Sequence, residues 1–185
     1  MRMRPERKAE TRERILGAAM ALFRVHGVDA VGVDAIMHHA GLTHGGFYAY
    51  FASKEALVAE AAAAALARSA DKWEQLAGEP DARVALEQIV GSYLDPAHVA
   101  MAERGCVLTT MGPDVARRTE VRPAITASIR RMIKSLERCI PGRSRQHALS
   151  VLTSMVGAVV LARLADEPML ADELLAVARR SAGLR

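Results

Sequence analysis

Apolar residues recur along this chain every three to four positions, the period of a helix that buries one face, and no stretch alternates convincingly as a half-buried strand would. Ile15, Ala18, Ala19, Leu22 and Phe23 form the first such face. Thr11 is expected to cap this helix and Gly27 to end it in a left-handed conformation. A short second helix is predicted over Val33–His39 and a third after Leu42, with Gly41 between them. Ser53 is expected to cap a long fourth helix that runs through alanine-rich sequence to about Leu76 and is closed by Ala77, Gly78, Glu79 and Pro80. Further helices are predicted over residues 81–94, 96–103, 117–139, 145–164 and 167–181. Gly105, Gly112 and Pro113 mark breaks, and Pro141 with Gly142 marks a turn. The expectation is an all-α protein in two parts, an N-terminal three-helix domain, residues 1–57, and a helical C-terminal domain, residues 58–185. The long fourth helix crosses the boundary, so the two parts are mechanically continuous.

Residues 33–57 carry the most chemistry. Val33, Ile36 and Ala40 give one short helix an inward face, Gly41 supplies a tight turn, and Leu42 and Phe47 pack the next helix on the first. That is the construction of a helix-turn-helix, whose second helix enters a DNA groove. Thr43 stands at its amino end, where a hydroxyl can cap the helix or meet a phosphate. Gly45 and Gly46 each cost about 1 kcal/mol relative to alanine inside a helix. Close approach of the backbone to a duplex would explain them, and a loosely tolerated turn is the alternative. Tyr48 and Tyr50 offer phenols to phosphate oxygens or serve as half-buried core. Lys54 adds a charge at a helix start, and His44 has the reach to touch a base edge or a phosphate.

Charge sharpens this picture only locally. The formal net charge is +4, which permits nucleic-acid binding without requiring it. Arg2, Arg4, Arg7, Lys8, Arg12 and Arg14 nevertheless crowd the start of the chain. Two cysteines make neither a disulfide framework nor a zinc site, no metal or other cofactor is implied, and no apolar run without interruption spans a bilayer. A cytoplasmic protein without membrane contact is expected. The six histidines form no catalytic constellation, and adjacent His38 and His39 diverge by about 100° on a helix. An enzyme is not expected.

The run His44, Gly45, Gly46, Phe47, Tyr48, Ala49, Tyr50, Phe51, followed by Ser53, Lys54, Glu55, Ala56 and Leu57, resembles the TetR family of transcriptional regulators. Thr11 to Leu16 and Ala21, Leu22, Phe23 also look like that family's first helix, so the resemblance covers about the first 60 residues. It implies that Thr43, His44, Gly45, Gly46 and Tyr48 lie on the recognition helix, that Tyr50 and Lys54 hold phosphate, and that Arg12 lies near the DNA-facing end of the first helix. Gly32 and Val33 stand where similar proteins often carry a phosphate-touching threonine. The implied function is a repressor that releases a palindromic double-stranded operator when a small molecule binds the C-terminal domain. A helical architectural or adaptor protein without a ligand is the alternative.

The same resemblance places a homodimer interface on the last two long helices. Leu149, Leu152, Met155, Val156, Val159 and Val160 make one apolar face, and Leu170, Leu174 and Val177 a matching stripe. The middle helices would enclose an apolar or amphipathic effector, with Trp73, Tyr93, Met101, Met111, Met132 and Met155 as lining candidates. Glu103 to Leu108 also looks like a pattern from one branch of these regulators. There Arg104 would favour a thiolate at Cys106 and make an oxidant or electrophile sensor, the alternative being an inert buried thiol. Cys139 is the weaker candidate.

Overall fold

The computed structural model describes residues 5–184, and its regular structure there is wholly helical. Arg2 and Arg4 lie outside the described residues. Helix α1 (Pro5–His26) already runs through the six residues before Thr11. Thr11 is therefore inside the helix and no cap: its buried hydroxyl donates to the Arg7 carbonyl at 2.8 Å. Gly27, at φ 78°, ends the helix as expected.

Helix α2 (Val33–His39) buries Ile36 and Met37. Gly41 then turns the chain at φ 67°. Arg14 of α1 donates to the Ala40 carbonyl at 2.5 Å and pins this turn. A Cβ at position 41 would lie 3.2 Å from the Arg14 guanidinium, so the turn is tight as well as left-handed. The following helix, His44–Ala49, is a 3-10 helix. Two glycines in six residues give it little propensity for an α-helix, and its bonds run from Gly46 N to Thr43 O and from Tyr50 N to Phe47 O. Phe47 is fully buried and stacks on Phe51, which anchors the helix to the core.

Ser53 caps α3 (Lys54–Leu76), accepting from the Ala56 amide at 3.0 Å. Its buried face, Leu57, Val58, Ala61, Ala62, Ala65, Leu66, Ala70 and Trp73, is half alanine, so neighbouring helices approach closely. It packs on α1 at one end and on α8 (Arg122–Cys139) along its length. Asp81 caps α4 (Ala82–Tyr93), and Asp95 with Pro96 starts α5 (Pro96–Ala100). Residues 102–104 form a 3-10 turn against α1. Two short helices unforeseen in the sequence follow, α6 (Val107–Thr110) and α7 (Gly112–Ala116). Gly112 and Pro113, read as a break, instead open α7, because proline suits a first turn. The same rule makes α8 begin near Pro123 and not at Arg117.

Helices α9 (Arg145–Leu164) and α10 (Pro168–Ser181) pack on each other and close the bundle. By length and composition alone α9 would reach across a bilayer. Its buried residues, among them Ala148, Val151, Met155 and Val159, belong to the core shared with α8 and α10. Arg163, near its end, donates to the His98 and Val99 carbonyls and to Thr109 Oγ1 at 2.8–3.0 Å. These bonds tie α9 to α5 and α6.

Candidate nucleic-acid interface and effector cavity

The surface of the 3-10 helix is set by what its neighbours bury. With Phe47 inward, Thr43, His44, Gly45 and Tyr48 face outward; Tyr48 is 68% exposed, its ring edge-on to Phe47. The Thr43 hydroxyl makes no capping bond within the chain. His44 Nδ1 lies against the Asp34 carboxylate of α2. Tyr50 is half-buried at the helix end and packs on the core, and Lys54 is half-buried at the first turn of α3.

The glycines are informative because the chain itself does not demand them. A Cβ at Gly45 would meet nothing within 4 Å, and one at Gly46 only the flexible end of Met37 at 3.6 Å. Neither has a positive φ. Nothing inside the fold therefore calls for glycine at either position.

Arg12 departs from the expectation. Its guanidinium is paired with Glu60 of α3 and lies 4.6 Å from the centre of the Phe51 ring. It fastens α1 to α3, with its charge answered by Glu60. Arg14 likewise holds the turn. Of the basic cluster, Arg7 and Lys8 are exposed.

The helix-turn-helix head is joined to the bundle at points besides α3. Arg24 of α1 donates to the Glu103 carbonyl at 3.0 Å. Arg118, just after α7, donates to Glu55 at 2.8 Å and lies 3.8 Å from Asp29, in the loop after α1. No sequence motif marks these arginines; only the fold brings them to the junction.

The effector candidates separate. Trp73 and Tyr93 meet edge to face, 5.6 Å between centres, and line a cavity of about 170 Å³ with Ser69, Lys72, Ser92, His98, Arg104 and Cys106. Met111, Met132 and Met155 are wholly buried packing residues that do not line this cavity, and Met101 is 43% exposed. Methionine fills irregular cores as readily as it meets ligands, and here it does the former. His98, which the sequence did not single out, lies 4.9 Å from the Tyr93 ring. Its Nδ1 donates to the Tyr93 carbonyl at 2.5 Å, and its Nε2 accepts from the Cys106 amide at 3.1 Å. That pair of bonds requires the neutral ring.

The thiolate expectation at Cys106 fails for a physical reason. The thiol is 5% exposed, and burial pushes it above its ordinary value. Arg104, exposed at the cavity's rim, is not among the groups that act on the thiol and does not offset this. Cys139 is also buried and pushed up by burial. Burial lowers His98, with Arg163, Lys72 and Arg24 adding to the effect against the bond to Tyr93. A histidine that folds neutral takes its proton first in the unfolded chain. Its stabilising contribution is thus complete above the ordinary value of 6.5 and is lost as the pH falls below it. An NMR titration should place this ring below 6.5, with thermal stability falling over the same interval; a ring titrating at or above the ordinary value contradicts the bonded geometry.

On the dimer candidates, Leu152, Met155 and Val159 are buried within the chain's own core and cannot meet a partner. The helix face that holds them turns toward α8, which narrows the expected stripe. Val156, Val160 and Leu174 are half-buried, whereas Leu149, Leu170 and Val177 are 40–55% exposed. Leu161, Leu164 and Met169, absent from the expected set, join the exposed group. A groove of about 350 Å³ runs between α9 and α10, walled by Leu161, Leu170, Leu174 and Val177.

Residues 15–61 match the bacterial regulatory proteins of the tetR family. The HTH-type transcriptional regulator YerO of Bacillus subtilis (strain 168) is 34% identical over 90 residues. That alignment covers 46% of this chain and spans about a third, 31%, of the relative's length. Two solved structures share the fold over nearly the whole chain. A TetR-family regulator from Agrobacterium tumefaciens has a TM-score of 0.79 at 17% identity, covering 95% of this chain and 97% of that one. The reduced form of NemR from E. coli has a TM-score of 0.74 at 22% identity, covering 92% and 96%. With the helix-turn-helix geometry and the matched segment in agreement, the head of this chain, residues 15–61, is a DNA-binding head of the tetR family of bacterial regulatory proteins, and the chain as a whole shares the fold of the two solved structures.

Proposed function

We propose that this protein is a DNA-binding transcriptional regulator that acts as a homodimer on a palindromic double-stranded operator and is released from it by a small effector. The observation that carries the reading is the surface formed by Thr43, His44, Gly45, Gly46 and Tyr48: exposed, short, and bare of Cβ atoms where the fold has room for them. A backbone that must lie against a duplex explains that combination. Tyr48, Tyr50 and Lys54 are the phosphate-holding candidates, and Arg12 contributes by fixing α1 on α3.

A single head makes few base contacts, so specificity calls for two heads related by a two-fold axis. The exposed apolar side of α9 and α10 suits a second copy of the same chain, forming four helices across the axis. Effector response is supported by the joints between head and bundle. A ligand that shifts the segment near residue 103 pulls on Arg24, and one that shifts α7 pulls on Arg118. Either alters the spacing of the two heads. Such work on DNA belongs in the cytoplasm, and the reading assigns the chain no catalysis.

The test is binding of the full chain to the DNA upstream of its own coding region, over a series of salt concentrations, against an unrelated duplex. Specific binding at least about a hundredfold tighter, weakening steeply with salt, is expected. Equal affinity for both duplexes overturns the reading.

A further inference from the structure

The cavity beside Trp73 carries a chemistry that its residues state separately. Tyr93 lines it, 6% exposed as a residue, and its buried hydroxyl has no hydrogen-bond partner. It interacts with the Cys106 thiol, a weak partner at best. A buried hydroxyl left unpaired costs free energy unless something supplies an acceptor. The other polar groups of the wall are already committed. Ser69 and Ser92 donate to carbonyls of their own helices, and both nitrogens of His98 are bonded. What is left over is donors: the phenol inside, with Lys72 and Arg104 at the rim.

The field has one sign. The charged side chains acting on Tyr93 and His98 are Arg163, Lys72 and Arg24, and no carboxylate lines the cavity. Lys72 and Arg104 enter no ion pair among the described residues. The volume, about 170 Å³, is close to that of an apolar cavity of ~150 Å³ that holds benzene. Trp73 supplies an aromatic wall. A neutral or cationic ligand would leave the donors and the rim charges unanswered, and a long acyl chain would not fit.

We propose that this cavity is the effector site and that it takes a small carboxylic acid, with a single ring or short alkyl chain against Trp73 and its carboxylate on the Tyr93 hydroxyl, Lys72 and Arg104. This rests on the regulator reading above and narrows its effector from amphipathic molecules in general to a compact anion. The position suits the role, because Arg104 and Cys106 belong to the segment that Arg24 grips through Glu103.

Trp73 is the chain's one tryptophan, so its emission reports on the cavity without any DNA present. The intact protein is titrated with benzoate, hexanoate and the neutral benzamide. Benzoate or hexanoate should change the emission saturably, with benzamide at least tenfold weaker. Arg104→Gln, at an exposed position that does not endanger folding, should weaken the carboxylate several-fold and leave benzamide unchanged. Tyr93→Phe should weaken the carboxylate about tenfold, by removing a charge-assisted hydrogen bond worth about 1.4 kcal/mol. Silence toward both acids, equal affinity for benzamide, or indifference to Arg104→Gln overturns the proposal. Duplex affinity of the same preparation separates the two readings. A chain that binds its duplex but no carboxylate overturns the cavity assignment alone. One that binds the carboxylate but no duplex overturns the regulator reading and leaves the cavity's chemistry standing.

Discussion

Val177→Glu is expected to split the dimer and to lower affinity for a palindromic duplex by a factor on the order of 10²–10⁴. Val177 is 55% exposed and lines the groove between α9 and α10, so the isolated chain has no need of it. A glutamate there stays in water in a monomer. In a dimer it would sit in an apolar interface opposite its own copy, where an unpaired charge is costly. The loss in DNA affinity follows from linkage. Within a dimer, binding of one head presents the second at an effective concentration near millimolar, and that advantage disappears once the heads are separate. Sedimentation and operator titration on the same samples check both halves. Circular dichroism should show an unchanged helical content. A variant that stays dimeric, or a monomer that keeps full affinity, contradicts the assignment of this face.

Substitution at Gly45 is expected to separate folding from binding. Its added Cβ would meet nothing within 4 Å, and its φ is not positive. Gly45→Ala should therefore leave stability unchanged or raise it by about 0.5 kcal/mol, since alanine loses less backbone entropy on folding. Operator affinity should fall by about tenfold for alanine, about 1.4 kcal/mol, and further for Gly45→Leu, because a larger side chain holds the backbone off the groove. Thermal melts and fluorescence anisotropy measure the two effects. If Gly45→Leu binds as tightly as the natural chain, the glycine serves only the turn and the close-approach reading fails. A loss of stability that parallels the loss of binding would point the same way.

How much of this was legible in the sequence depends on whether the signal was local. The helix-turn-helix was readable because its parts are neighbours: Ile36 and Phe47 face inward, Gly41 turns the chain, and Ser53 caps the next helix. Thr11 was misread because a capping residue and a mid-helix threonine look alike in a sequence, both being short hydroxyl side chains ahead of an apolar periodic run. Arg12 was misread because its partner, Glu60, is 48 positions away. In the bundle, apolar spacing identified α9 and α10 but not which part of their wide apolar surface turns inward. That is decided by α8, and it sends Leu152, Met155 and Val159 to the core. The cavity drew on residues from three separate stretches, and only Trp73, Tyr93, Arg104 and Cys106 were distinctive enough to be noticed beforehand. His98, Lys72 and Arg163 acquire their meaning from the packing, which no spacing rule conveys.

The central claim is that the exposed 3-10 helix, with its two bare glycines, reads the major groove of a duplex. Affinity selection from a pool of random double-stranded DNA, using the purified protein at moderate ionic strength, puts this to the most direct trial. The account predicts enrichment of one inverted repeat, retained by the natural protein and not by Gly45→Leu. A pool that emerges from repeated rounds with no shared sequence, or an identical repeat recovered by both proteins, would contradict it.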